Sequence, residues 1–396
     1  MRILYVTKLV AGCLPDLFTY HGEWTDTFEL ALAVKALEPE HRVTILTPRV
    51  RPEHAARFED EFGSLLSALD IEHVQAPVSY TKDIAPALFR LKMLRSEVRQ
   101  ARGTKADIVQ YGQFGVSWMY PLKRLIKARL VAYGCYVTND AWEGKEEDRK
   151  AVSKGPLRRG MNLSFAAAHR VLRMKPMDPR LDRICLMHEQ GYHDLKRDLS
   201  GDRRIHYIPK GCTSRGRYVQ RSELKNVFYL GLLQFRKGLR DFITVAERCP
   251  ELTFHIFGPP GSPGVAQLID EAVARLENLK YRGNVGYHEK WQALEDCDLL
   301  FLPSYRDAFP SVIMESMSCG VPVITTDAID SRVREGENGY VVPAGDIEAM
   351  VQKIEALRSD SKPMKELSAQ ARETYQENTW KKSAEDFLMM YHELLA

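Results

Sequence analysis

The sequence predicts an α/β protein of two domains, each a parallel sheet with crossover helices. Three observations predict it. Short apolar runs of four or five residues alternate with helix-period segments along most of the chain, as parallel strands buried on both faces require. The pattern breaks in an irregular stretch at 211–220 and restarts near Asn226. With 396 residues, the chain is too long for one ordinary core and suits two domains of roughly 150–200 residues. The expected division is 1–215 and 216–376.

In the first domain, strands are expected at 3–6, 42–46, 108–111 and 130–133, with a helix at 26–37 after the first. In the second, strands are expected at 227–230, 253–257, 299–302 and 323–326. Helices are expected there at 238–248, 263–276, 290–295 and 312–319. Ser311 is expected to N-cap the last of these, and Gly320 to close it. From Asn338 to Pro343 the chain reads as a turn and an extended segment, ahead of a helix beginning at Asp346. The polar stretch 139–160, rich in charge and without periodicity, reads as a mobile loop.

Composition narrows the function classes. Hydrophobic residues are 44% and charged residues 28%, ordinary for a soluble globular protein. No run approaches the ~18–20 apolar residues of a membrane span. The opening MRILYVTKLVAG reads as a buried first strand rather than a secretory signal. Seven cysteines stand scattered, with no C-x-x-C pair. That points away from a disulfide framework or zinc site and toward a cytoplasmic location. The net charge of +3 hides an asymmetry. Residues 1–215 hold 35 basic against 26 acidic residues, net +9, and 216–396 hold 21 against 27, net −6. A basic first half implies an anionic partner. Nucleic acid is not expected, since no zinc-finger spacing or aromatic-basic interleaving accompanies the charge. A membrane surface, at the inner face of the plasma membrane, or an anionic lipid-linked acceptor fits better. Over 85–102, Lys92, Arg95, Arg99 and Arg102 make a basic stripe beside Leu91, Leu94, Val98 and Ala101. Such a helix suits a membrane surface, and equally a core-packed helix with solvated arginines.

Ligands of open parallel sheets bind beyond the carboxyl ends of the strands, so the residues after each strand carry the chemistry. After the strand at 227–230 come Gly231, then Arg236, Lys237 and Gly238. A glycine admits backbone close to a ligand, and a cation beside a helix N-terminus suits a phosphate. After the strand at 299–302 the chain reads Pro303-Ser-Tyr-Arg-Asp307-Ala-Phe309-Pro310-Ser311-Val312-Ile-Met-Glu315. Two carboxylates beside helix-terminal amides suit a polyhydroxyl ligand carrying diphosphate. Three other segments read as structure. Asp296-Cys297-Asp298 is a helix end before a buried strand. His188 and His193, five apart, do not share a helix face for zinc. Gly258-Pro-Pro-Gly261-Ser-Pro-Gly264 is a rigid turn.

In order, Gly231…Lys237-Gly238, Asp307-x-Phe309…Glu315-Ser-Met-x-x-Gly320-Val-Pro322-Val and Glu337-Asn338-Gly339…Pro343-x-Gly345-Asp346 resemble the retaining GT-B glycosyltransferases. That group includes bacterial mannosyl- and glucosyltransferases and sucrose-phosphate synthases. Its hallmark is two acids separated by seven residues, the spacing of Asp307 and Glu315. The resemblance spans about 226–343 and continues more weakly through Gly22 and the segment 29–47. The tail Asn378-Thr-Trp380…Tyr391 looks like the group's last helix, so 377–396 is expected to return to the N-terminal domain. The implied fold is GT-B, two Rossmann-like domains facing a cleft, with donor on the C-terminal side and acceptor on the N-terminal side.

The resemblance also implies roles. Glu315 binds ribose hydroxyls, while Asp307 and the backbone of Phe309, Pro310, Ser311 and Val312 hold the donor sugar. Lys237 neutralises the leaving diphosphate, with Arg236 beside it, and Gly22 lets the N-terminal loop approach that diphosphate. Gly231 serves the donor too, and Gly283, Asn284 and Val285 line the base pocket. The implied reaction moves a hexosyl group from a nucleotide sugar to a carbohydrate or lipid-linked acceptor, with no cofactor and no essential metal. The chain departs from the group's pattern at four places. Asp307 replaces the usual Glu, and Leu232 stands where an Arg is common. The segment Asp327-Ala-Ile-Asp330-Ser-Arg332 is short and lacks paired glycines, and no His occurs over 134–140. A non-catalytic nucleotide-sugar-binding subunit, or a soluble transferase acting on a small natural product, are the alternative readings.

Overall fold

The structure, a computed structural model, describes residues 1–7, 22–78, 86–112, 125–134, 181–199 and 201–396. The stretch 139–160 and the segment 135–140 lie outside them. The chain divides into two units, Met1–Lys210 with Ser383–Ala396, and Gly211–Lys382.

Among the described residues, the first unit holds seven parallel strands, β1 (Arg2–Val6), β2 (Arg42–Thr47), β3 (Glu72–Gln75), β4 (Ile108–Tyr111), β5 (Arg129–Gly134), β6 (Arg183–Leu186) and β7 (Ile205–Tyr207). Their order in the sheet is β3-β2-β1-β4-β5-β6-β7. The inner strands are branched and aromatic, and nearly every residue of β1, β4 and β5 is buried. Such strands need cover on both faces. Helix α1 (Gly22–Leu37) brings Trp24 and Phe28 onto Phe62 at 5.4 and 5.0 Å, both edge-on. Helix α2 (Pro86–Gly103) turns Met93, Glu97 and Ala101 inward, with Leu94 and Val98 half-buried beside them. Leu91 is left outside at 46% exposure. Three of the four expected apolar-stripe residues are therefore packed on the core. Helix α3 (Glu189–Asp198) is capped by His188, whose Nδ1 accepts the Gly191 N–H at 3.0 Å.

The second unit holds β8 (Asn226–Leu230), β9 (Thr253–Phe257), β10 (Leu279–Gly283), β11 (Leu299–Leu302), β12 (Asp307–Ala308), β13 (Val323–Thr326), β14 (Ile329–Asp330) and β15 (Gly339–Val342). Six of them form a parallel sheet in the order β10-β9-β8-β11-β13-β15, and β12 pairs with β14 apart from it. Helices α4 (Leu239–Arg248), α5 (Pro263–Arg275), α6 (Glu289–Glu295), α7 (Ser311–Ser318), α8 (Ile347–Ser359) and α9 (Ser361–Glu377) complete the unit. Phe242 of α4 packs against Phe254 and Phe301 of the sheet at 5.4 and 5.7 Å. The sheet order reverses between β8 and β11, which is where the loops part to leave a crevice.

Helix α10 (Trp380–Leu395) starts in the second unit and passes into the first. There Phe387 meets Tyr133 edge-on at 4.9 Å. The Tyr391 hydroxyl bonds Gln110 and lies 3.4 Å from that of Tyr5, while Ser383 donates to the Pro209 carbonyl at 2.7 Å. The sequence reading put the joins at 215/216 and 376/377; they fall at 210/211 and 382/383. The two passages run side by side. Cys212 pairs with Thr379, takes the Asn378 carbonyl at 3.0 Å and is bonded by the Trp380 N–H at 3.3 Å. That pairing keeps both passages within the second unit.

Candidate functional site

The carboxyl ends of β8, β9 and β10 finish in Gly231, Gly258 and Gly283, all at positive φ. Gly258 donates its N–H to the Gly283 carbonyl at 2.7 Å, and a Cβ there would stand 1.8 Å from the Gly231 oxygen. Only backbone fits, so the floor beyond these strands is bare of side chains. Asn284 is exposed and Val285 half-buried against the core, and the Gly286 N–H bonds Glu289 at 2.7 Å. The expected base-pocket residues thus stand at the end of the edge strand β10.

The loop after β8 is stitched to the loop after β11. Gly238, at φ +73, faces the Pro303 carbonyl so closely that a Cβ would come within 1.8 Å. Tyr305 donates its N–H to Arg236 at 2.9 Å, and the exposed Arg236 guanidinium returns a bond to the Arg306 carbonyl at 2.9 Å. The hydroxyls of Tyr229 and Ser304 both donate to the Lys237 carbonyl, at 3.2 and 3.4 Å. Burial, with the negative charge of Asp307 nearby, holds the Tyr229 phenol well above its usual range, so it stays a neutral donor. With its backbone fixed, Lys237 places Nζ 2.8 Å from Asp307 Oδ2, and the two side chains are only 19% and 17% exposed.

Asp307 belongs to a strand rather than to the free loop expected from sequence. β12 lies parallel to β14, with Asp307 opposite Ile329 and Ala308 opposite Asp330. The short segment after β13, one of the departures from the family pattern, therefore braces the acid. Phe309 follows at φ +54 and is 5% exposed. A bulky residue in the left-handed region is held there against its own preference, and the Arg332 guanidinium lies over its ring at 5.8 Å. Ser311 is not the N-cap. Helix α7 begins at Ser311, with Pro310 as N-cap at φ −62, ψ 120. The ring-fixed φ of proline sets the entry that a capping hydroxyl was expected to set. Val312 completes the first turn, and Gly320, at φ +79, lies just past the C-cap Cys319.

Glu315, in the second turn of α7, is held by a residue the sequence reading did not select. Lys290 of α6 lies 2.5 Å from it, with side chains 12% and 15% exposed. The ammonium also faces the rings of Tyr287 and Trp291 at 4.9 and 5.1 Å, and Arg215 lies over Tyr287 at 5.1 Å. The sequence carries no signal for Lys290, which reaches Glu315 only when α6 folds against α7. Leu232 is 39% exposed where the resemblance expects arginine. Gly22 opens α1 in the first unit. The Asp-x-Asp segment is structural. Asp296 ends α6, and Asp298 accepts the backbone N–H groups of Lys225 and Asn226 at 3.0 and 2.8 Å.

Residues 213–374, which contain every side chain and loop of this crevice, match the family model described as glycosyl transferases group 1. This segment is a glycosyl transferases group 1 domain. Among curated relatives, the alpha-galactosylglucosyldiacylglycerol synthase of Streptococcus pneumoniae is 31% identical over 146 residues, 36% of this chain and 38% of that protein. The D-inositol 3-phosphate glycosyltransferase of Rhodococcus erythropolis is 29% identical over 179 residues, 42% of this chain and 40% of that one. The chain thus spans well under half the length of these relatives. Several solved structures match along nearly their whole length. Sucrose-phosphate synthase from Thermosynechococcus elongatus superposes with a TM-score of 0.78 at 16% identity, covering 100% of this chain and 99% of that one. The Anabaena protein HepE in complex with UDP gives 0.68 at 15% identity, covering 99% and 100%. Two Rossmann-like units with this whole-length likeness are the GT-B fold. Among the described residues, no helix is long and apolar enough to cross a membrane.

Proposed function

We propose that the chain moves a hexosyl group from a nucleoside diphosphate sugar to a lipid-linked or carbohydrate acceptor, with retention and without an essential metal. The observation that carries this reading is the Lys237–Asp307 pair, fixed where the loops after β8 and β11 meet. A sugar diphosphate sets hydroxyls beside an anion; the carboxylate suits the first and the ammonium the second. Asp307 and the backbone from Phe309 to Val312 hold the sugar, and Glu315 accepts from the ribose hydroxyls. Gly231, Gly283, Asn284 and Val285 border the nucleotide. As the bond from the anomeric carbon to the diphosphate breaks, Lys237 and Arg236 meet the growing negative charge. The acceptor oxygen forms the new bond, and its proton passes to the departing diphosphate.

The UDP complex of the Anabaena protein makes UDP-hexoses the first donors to try. The diacylglycerol glycolipid in the name of the Streptococcus relative supports a lipid acceptor. Calorimetry with UDP, GDP and ADP identifies the nucleotide, and NMR of the product reads the anomer. Retained configuration is expected; inversion would overturn the mechanism. The exposed Leu232 favours one second reading, a subunit that binds nucleotide sugar without turning it over. Tight donor binding with neither hydrolysis nor transfer would select that subunit.

A further inference from the structure

Away from the crevice, the turn between α1 and β2 and the far end of α10 bring three ligand-type side chains together in the first unit. The turn is tightly built. Glu38 donates its N–H to the Val34 carbonyl at 3.0 Å, and His41 donates its N–H to the Glu38 carbonyl at 3.0 Å. The buried Lys35 ammonium spans the turn, donating to the carbonyls of Pro39 and His41 at 2.8 Å each. Glu38 and His41 therefore sit at fixed positions three residues apart. From α10, His392 places Nε2 3.3 Å from Glu38 Oε2, and the two imidazole rings lie 6.0 Å apart.

His41 is the informative group. It is 4% exposed, its Nε2 lies against Glu38 Oε2, and its Nδ1 lies 3.1 Å from Glu40 Oε1. Neither nitrogen of this buried ring reaches hydrogen-bond geometry. Buried polar atoms that approach acceptors without bonding them are rare, and a cation between imidazole and carboxylate would satisfy both. One ligand atom from each of Glu38, His41 and His392 lies within 4.8 Å of the others. Tetrahedral ligands at metal–nitrogen distances of about 2.0–2.1 Å stand roughly 3.3–3.5 Å apart, so small rotamer adjustments complete the set. Two imidazoles and one carboxylate suit zinc and its neighbours rather than calcium or magnesium. Glu40, on the other nitrogen of His41, is where metal-bound histidines keep a carboxylate. The half-exposed His392 side leaves a path for the ion and a water as fourth ligand.

We propose that Glu38, His41 and His392 form a structural site for a divalent d-block cation, Zn²⁺ foremost, which clips α10 onto the turn between α1 and β2. The site belongs to the first unit, Asp307 and Glu315 to the second, and it does not depend on the proposed transfer. The untagged full-length chain, stripped with chelator, is titrated with Zn²⁺ by calorimetry and with Co²⁺ by visible absorption. One equivalent should bind, with the intense visible band of tetrahedral Co²⁺, and the thermal midpoint should rise with metal concentration. His392→Ala should abolish binding, and Glu40→Gln should weaken it by about tenfold or more. Met389→Ala, an exposed change on the same helix, should leave affinity and spectrum unchanged and controls for damage to α10. Absence of saturable binding would overturn the site. So would binding that survives His392→Ala, or a Co²⁺ spectrum dominated by thiolate charge transfer, which would place the ion on cysteines.

Discussion

At Glu315 and Asp307, each carboxylate already has an ammonium partner before any ligand arrives, and the two pairs should fail differently. On the proposed reading Glu315 contacts ribose both before and during reaction, so Glu315→Gln should raise the donor KM and the nucleotide Kd. A hydrogen bond to a charged group contributes about 1.5–3 kcal/mol, roughly ten- to a hundredfold in affinity. Asp307 is proposed to hold the sugar, whose geometry changes at the transition state. Asp307→Asn should lower kcat while UDP binds nearly as before, and Lys237→Ala should impair both. Steady-state kinetics beside calorimetry separates the outcomes; swapped phenotypes would reverse the roles. Lys290→Met tests the support beneath Glu315. Leaving one half-buried partner unpaired should lower stability by about 1–3 kcal/mol in denaturant melts and weaken nucleotide binding. Unchanged values in both would make the Lys290–Glu315 pair incidental.

Helix α2 carries two expectations at the scale of the element. Its inner face buries Glu97 completely, with the Tyr111 hydroxyl donating to it at 2.6 Å. Burial pushes the carboxyl up to about 8 against the lowering effect of that bond. Its folded pKa is above its unfolded one, so between pH 4.5 and 8 the native state holds a proton the unfolded chain has released. Stability contributed by this site therefore falls as pH rises through that window. Glu97→Gln should be more stable than the parent at pH 7 by about 2–3 kcal/mol, with the gain shrinking toward pH 4.5. Melts across that range check the slope, and a constant gain would refute it. Its outer face exposes Arg95, Arg99 and Arg102 beside Leu91. Vesicles rich in anionic lipid should bind the chain in a salt-sensitive manner. Reversing those three charges should weaken the binding, while equal affinity for neutral vesicles would exclude the stripe.

The elements legible in sequence were those whose burial left no choice. β4, β9, β11 and β13 have the ends their apolar runs suggested, because interior parallel strands must be apolar on both faces. β3, β6, β7 and β10 escaped notice. All but the interior β6 lie at a sheet edge, where one side is open and sequences such as Glu-His-Val-Gln and Leu-Lys-Tyr-Arg-Gly need not be continuous apolar runs, and β6 offers only the three apolar residues Ile-Cys-Leu. Site residues followed the same logic. Lys237, Asp307 and Glu315 stand out by spacing, whereas Lys290 looks like any surface lysine until α6 is folded against α7. Nor could periodicity reveal β12 and β14, since two-residue strands carry no period and exist only through their mutual register.

For the whole molecule, the proposed function concentrates donor recognition in Gly211–Lys382, which has its own sheet and aromatic core. That segment, expressed alone, should keep the nucleotide affinity of the full chain within about tenfold, a difference of about 1.4 kcal/mol. Affinity found only in the remainder would contradict the assignment. The side-by-side passages at Cys212 and Thr379 also bear on synthesis. On a ribosome, the first unit emerges early yet lacks residues 383–396, which cover Tyr5, Tyr133 and Gln110. The second unit is threaded through before they appear, so the later-made sheet can close first. The earlier one waits with an aromatic face open, a natural client for a chaperone during translation.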